Sequence, residues 1–179
     1  FFINTILNTN TSHIESISFS KSLSLKLKDI VELTKFRLSF LVVFSAIMSY
    51  ILGISDSSLD WFKIAFLSLG GFLVTASSNT INQIIEKDID KLMDRTKNRP
   101  LPTGRMKIMQ AYLIAGITGV SGIFILGFVF NPISGLLGAL ALISYAFIYT
   151  PFKKISPSAV FIGAIPGSMP LLIGWTAAT

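Results

Sequence analysis

The sequence predicts an all-α fold, a polytopic bundle of transmembrane helices. Three observations carry that prediction. The composition is 51% hydrophobic and only 13% charged, with a mean hydropathy of +0.69, whereas soluble domains carry about 25% charged residues. The apolar residues come in blocks long enough to cross a hydrocarbon core. Lys and Arg concentrate between alternate blocks, so the net charge of +6 reads as a topology signal and not as nucleic-acid binding. No cysteine is present, which excludes disulfides, thiolate metal centres and Cys nucleophiles.

In chain order, residues 1–28 form a polar tail rich in Ser, Thr and Asn, with Lys21, Lys26 and Lys28 and the single His, His13. Phe1–Leu7 is too short to span and lacks the basic start of a signal peptide. Residues 29–37 predict a short interfacial helix with Ile30, Val31 and Leu33 on its apolar side. Residues 29–179 then read as one membrane domain. Its first membrane helix covers 38–54. Asp60 is placed to cap the second, 61–90, with Trp61 as an interfacial anchor. Gly70, Gly71, Ala76, Ser77 and Ser78 allow close helix approach there. A basic loop with turn chemistry at Arg99-Pro100-Leu101-Pro102-Thr103-Gly104 leads to a third helix, 107–130. Asn131-Pro132 turns the chain into a fourth, 133–149, ended by Pro151. A fifth segment, 157–178, is expected to be broken by Pro166 and Pro170, and such breaks line cavities in preference to facing lipid. The start at Phe1 and the stop at Thr179 directly after an apolar run read as part of a longer protein. There is no internal repeat of 20–50 residues.

With a cytoplasmic N-terminus, 14 of the 15 Lys and Arg residues face the cytoplasm and only Lys63 lies outside. That arrangement gathers every basic cluster at the membrane face where the second helix ends.

The end of that helix turns abruptly polar. Asn82, Glu86, Asp90 and Asp94 recur at steps of four. On a helix such steps drift by about 40° each, so the first three share a face, with Asp94 at its margin or in the loop beyond. Carboxylates this close repel, and desolvation deepens the repulsion. A divalent cation relieves both, and an oxygen-only donor set without cysteine favours Mg²⁺. The alternative is a solvated acidic helix end interleaved with Lys87, Lys91 and Arg95. Carboxylates, Lys and Arg above an apolar bundle suit a diphosphate joined to a long hydrocarbon. In that reading Glu86, Asp90 and Asn82 hold Mg²⁺ against the diphosphate. Arg37, Arg95, Arg99, Arg105, Lys153 and Lys154 are candidate counter-charges, and Tyr149 a hydrogen-bond donor. For each cation the alternative is an ordinary positive-inside loop charge.

Asn82-Glu86-Asp90 at that spacing, followed by Arg95-Thr96-Lys97-Asn98-Arg99-Pro100-Leu101-Pro102-Thr103-Gly104-Arg105, resembles the first Asp-rich motif of the UbiA superfamily of intramembrane prenyltransferases. Many quinone-pathway members have Asp where this chain has Gln83, and Glu86 stands where Asp is common. Those departures resemble the haem O synthase branch, the protohaem IX farnesyltransferases. So do Glu32–Arg37, with Phe36 in place of the usual Pro, Tyr149–Lys154, and the run from Gly163 through Pro170 to Ala178.

The resemblance implies Mg²⁺-assisted ionisation of farnesyl diphosphate. A vinyl group of haem B then captures the allylic cation, and water addition gives haem O. It implies that Asn82, Glu86 and Asp90 are catalytic and bind metal with Asp94 beside them, and that Arg37, Arg95, Arg99, Tyr149 and Lys153 bind the diphosphate. It implies a bacterial inner-membrane protein with its N-terminus and Asp-rich loop in the cytoplasm. By resemblance alone, it also implies possible contact with haem A synthase or a terminal oxidase assembly. Family members have about nine membrane helices and a second Asp-rich motif, so these five helices by themselves are expected to be inactive. Three other readings compete. One is a UbiA-type enzyme acting on a quinone precursor or a chlorophyll-type ring. Another is a cation transporter, disfavoured because the charges sit at the rim and not at mid-membrane. The last is a purely structural subunit, which leaves the acidic stripe without a purpose.

Overall fold

A computed structural model describes residues 24–54 and 59–179. The first part of the predicted tail, His13 included, and the turn at 55–58 lie outside the described residues. A first helix, α1, covers 24–33. Five further helices are long and apolar enough to cross a membrane. They are α2 (Phe36–Gly53), α3 (Trp61–Asp90), α4 (Ile108–Phe130), α5 (Pro132–Phe152) and α6 (Ala159–Ala178).

Local chemistry accounts for the starts of α3 and α5. The Asp60 side chain accepts from the Phe62 and Lys63 amides, opening α3 as predicted. Asn131 caps α5 by accepting from the Ser134 amide at 2.8 Å, with Pro132 at the first helical position. The last turn of α4, Leu126–Phe130, widens into π-helix, and so does Ser144–Tyr149 in α5. Sequence periodicity does not reveal these widened turns, because one wide turn leaves an apolar block apolar.

Three expectations need correction. Residues 29–37 are not one interfacial helix: α1 ends at 33, the chain turns at Thr34-Lys35, and α2 already begins at Phe36. The α5 helix ends at Phe152, one residue past Pro151; the widened turn before it already bonds the Thr150 amide to the Tyr145 carbonyl five residues back, so the missing proline N–H falls where the regular i−4 pattern is interrupted. Pro166 and Pro170 do not break α6, which is continuous from Ala159 to Ala178. Membrane helices tolerate proline because neighbouring groups satisfy the freed carbonyls and no bulk water competes for them. Both prolines do line a cavity, as expected of them.

The α3 helix packs most extensively on α4, and α2 on α6. The α3–α4 contact depends on a missing side chain. A Cβ at Gly122 would stand 2.8 Å from the Val74 backbone nitrogen and 2.9 Å from the Gly70 carbonyl oxygen. Ser77 closes the same seam by donating to the Ala115 carbonyl at 2.7 Å. The outward faces carry exposed apolar side chains such as Phe62, Phe128 and Phe161, the surface that lipid would cover. Helices alternate in direction, so one end of the bundle gathers the start of α2, the end of α3, the 91–107 loop and the end of α5.

Candidate active site

At that end, α3 presents three polar side chains one turn apart, and each meets a cation from a different element. Asn82 is fully buried; its Oδ1 accepts from Lys35 Nζ at 3.1 Å, and its Nδ2 donates to Thr150 Oγ1 at 3.1 Å. Glu86 Oε1 pairs with Lys153 Nζ at 2.9 Å. Asp90 Oδ2 accepts from Arg99 NH1 at 2.7 Å, with its side chain 5% exposed. Two carboxylates against three cations leave the ladder with one net positive charge, the sign that suits an anion. Burial, then the nearby Arg99 guanidinium and Lys153 ammonium, push the Lys35 amine down to about 8.

Asp94 does not join the other three. It lies in the turns beyond α3, with its side chain 97% exposed and paired to Lys97 at 2.6 Å. Arg37 and Arg95 are exposed and also lie off the ladder. Arg105 is bound to α1 through Asp29 at 2.9 Å and Glu32 at 3.5 Å. Lys154 donates to the Ile85 carbonyl at 3.4 Å. The predicted residues that the fold brings together are therefore Asn82, Glu86, Asp90, Arg99, Tyr149 and Lys153.

Sequence reasoning missed Lys35 and Thr150. Lys35 stands two residues from the chosen Arg37, but it sits in the turn before α2 with left-handed backbone angles, whereas Arg37 is already helical. The break at Thr34-Lys35 has no Gly or Pro to announce it. Thr150 sits behind a π-helical turn: its hydroxyl donates to the Tyr145 carbonyl at 2.8 Å, five residues back, and accepts from Asn82. A widened turn of this kind recurs at functional sites.

Beneath the ladder, α2, α3, α5 and α6 line a cavity of about 660 Å³. Small-molecule sites span roughly 300–1,000 Å³. Its polar end is formed by Ser78, Asn79, Tyr145 and Tyr149, and its depth by residues such as Ala46, Val74 and Ile173. The Tyr145 and Tyr149 rings lie 5.5 Å apart, and Lys153 Nζ stands 5.5 Å from the Tyr149 ring centre. Gly163 makes room for that ring: a Cβ there would meet Tyr149 Cε2 at 2.9 Å.

The donor set does not make a complete metal cage. Among the described residues no group of three His, Cys, Asp or Glu side chains could hold an ion alone. Asn82, Glu86 and Asp90 nevertheless supply hard oxygens of the type Mg²⁺ takes. Mg²⁺ is commonly bound through one or two carboxylates plus substrate phosphates, without a full protein cage. The residues fit a metal that arrives with a phosphorylated substrate.

The fold and the site define a class of protein: an all-helical membrane bundle with carboxylates and cations beside an apolar cavity. Residues 42–179 match the UbiA prenyltransferase family, and the chain belongs to it. It is 46% identical over 153 residues to a protoheme IX farnesyltransferase of Christiangramia forsetii, covering 86% of this chain and 50% of that protein. It is 47% identical over 149 residues to the protoheme IX farnesyltransferase of Cytophaga hutchinsonii, covering 83% and 51%. A mitochondrial protoheme IX farnesyltransferase of Arabidopsis thaliana is 38% identical over 148 residues, covering 83% and 34%. The chain thus spans about half the length of these two bacterial relatives. Among solved structures, a UbiA homologue from Archaeoglobus fulgidus bound to DMAPP and Mg²⁺ superposes with a TM-score of 0.66 at 18% identity, covering 84% of this chain and 53% of that one. That likeness shows the fold.

Proposed function

We propose that this chain carries the diphosphate-binding half of a protohaem IX farnesyltransferase, which transfers the farnesyl group of farnesyl diphosphate to a vinyl carbon of haem B. The observation that carries the reading is the ladder of Asn82, Glu86 and Asp90, each partnered by a cation, above an apolar cavity. The names of the relatives and the ligands of the Archaeoglobus structure support it.

Asn82, Glu86 and Asp90 would hold the metal; Asp94 and the exposed Arg37 and Arg95 are left out of the inner set. Bound magnesium supplies Lewis-acid stabilisation of the departing diphosphate. Substrate arrival is an exchange of partners. Lys153 and Arg99 give up the carboxylates and donate to diphosphate oxygens, so negative charge developing on the leaving group meets fixed donors. The cavity takes the prenyl chain and excludes water from the reacting carbon. The Tyr145 and Tyr149 rings stand at the cavity's polar end, where an allylic cation would form, and an aromatic face stabilises such a cation. The allylic C–O bond breaks with its electron pair leaving on the diphosphate. The vinyl carbon forms the new C–C bond, and water adds to the resulting haem-side cation with loss of a proton. The 46% and 47% identity to two bacterial relatives supports a bacterial plasma-membrane location, with the ladder on the cytoplasmic side.

The test uses the chain extended to the length of its relatives, in lipid nanodiscs with Mg²⁺ and farnesyl diphosphate. Haem B should yield haem O by mass, and 4-hydroxybenzoate should yield nothing. Prenylation of 4-hydroxybenzoate with haem B untouched would overturn the reading in favour of a quinone-pathway enzyme. The 179-residue chain by itself should form no haem O, and product from it would refute the proposed division of the site.

A further inference from the structure

The turn between α1 and α2 is held open by side chains from α3. Lys35 adopts φ 49° and ψ 56°, left-handed values that a residue with a Cβ avoids unless its surroundings impose them. Two α3 side chains impose them here. Gln83 Nε2 donates to the Leu33 carbonyl at 2.7 Å and the Glu32 carbonyl at 3.2 Å. Asn79 Nδ2 donates to the Thr34 carbonyl at 3.2 Å and to Ser39 Oγ at 3.3 Å, and Ser39 Oγ donates to the same Thr34 carbonyl at 2.9 Å. These carbonyls end α1, where amide donors run out: the Glu32 carbonyl keeps the Lys35 amide at 3.3 Å, and a neighbouring helix supplies the side-chain donors. The chain leaves the turn with Lys35 Nζ at 3.1 Å from Asn82 Oδ1, at the head of the ladder.

Gln83 is fully buried, and its Oε1 has no hydrogen-bond partner among the described residues. An orphaned buried acceptor is destabilising. If packing were the only requirement at this position, an apolar residue would serve better. An isosteric Glu would serve worse, since a carboxylate cannot donate to two carbonyls.

We propose that Gln83 is a positioning residue for diphosphate capture. Through the Glu32 and Leu33 carbonyls it fixes the left-handed turn that delivers the Lys35 ammonium to Asn82, where Lys35 becomes a third cation on the substrate's diphosphate. This rests on the prenyl-diphosphate reading above.

The experiment is a double-mutant cycle in the full-length enzyme, measuring KM for farnesyl diphosphate and kcat for Lys35→Gln, Gln83→Leu and the pair, with Gln83→Glu as a second probe of the donor and Lys35→Arg as the conservative variant. Losing one charge-assisted contact to a bound anion should raise KM about tenfold, with kcat changed less than about threefold. Gln83→Leu and Gln83→Glu should show that rise, Lys35→Arg should restore most of the affinity, and the pair should be no worse than Lys35→Gln alone. A purely structural cap predicts instead independent losses that multiply in the pair. Multiplying effects, or an unchanged KM in both Gln83 variants, overturn the proposal while leaving the function standing. A wild-type enzyme that does not consume farnesyl diphosphate overturns the functional reading and this inference with it.

Discussion

Asp90 and Asp94 are the same residue type one turn apart, and the fold gives them opposite surroundings. Asp90 is nearly enclosed and bonded to Arg99, while Asp94 stands in solvent with Lys97. An exposed i,i+3 pair contributes about 0–1 kcal/mol. Asp94→Asn should therefore keep turnover within about twofold of wild type and leave the melting temperature unchanged. Asp90→Asn should lower Mg²⁺-dependent turnover on the order of 10²-fold or more, the scale of removing one preorganised electrostatic group, while membrane insertion persists. Wild-type rates in that variant would remove Asp90 from the mechanism. At this scale the sequence was partly legible. Steps of four place Asn82, Glu86 and Asp90 on one face whatever the rest of the chain does. They do not say where the helix stops, and the stop at Asp90 is what takes Asp94 off the face. Nor do they name the cations. Arg99 and Lys153 were legible from their clusters, whereas Lys35 was hidden by a turn that α3 imposes from about 45 residues away.

At the scale of elements, apolar blocks and caps marked five spans closely, and the 61–90 helix falls where it was predicted. The disagreements have physical causes. Proline weighs against helix in water, yet α6 keeps its course through Pro166 and Pro170 in surroundings without competing solvent. The π-helical turns left no periodic trace. Close approach of α3 and α4 depends on Gly122, where an added side chain would meet backbone and not a movable side chain. Gly122→Leu should destabilise the bundle by about 1–3 kcal/mol or more through overpacking, read as an earlier unfolding midpoint in SDS titration. Gly104→Ala has open space around it but a left-handed φ of 75°. Its cost should come from the backbone alone, about 1 kcal/mol.

At the scale of the molecule, alternating helix direction gathers the ladder and the basic loops at one rim. The absence of cysteine from these 179 residues makes their orientation directly measurable, since a cysteine introduced into this chain is unique within it. Lys97→Cys in closed inverted and right-side-out vesicles should react with an impermeant maleimide only from the cytoplasmic face, and Lys63→Cys only from the opposite face. The reverse pattern would overturn the assigned topology, because 14 of 15 Lys and Arg would then face outward.

Taken alone, the sequence determined the properties that composition and local periodicity set: a membrane bundle, its spans, and an acidic stripe on one helix face. Those properties depend on transfer free energy and on 3.6 residues per turn, and neither needs a neighbour. Only the tertiary structure decided which cations meet the stripe, that Asp94 stays outside it, that a cavity lies beneath it, and that Gln83 and Asn79 shape the turn carrying Lys35. Such pairings are set by which helix lies against which, and a buried polar group takes whatever partner that packing brings within reach.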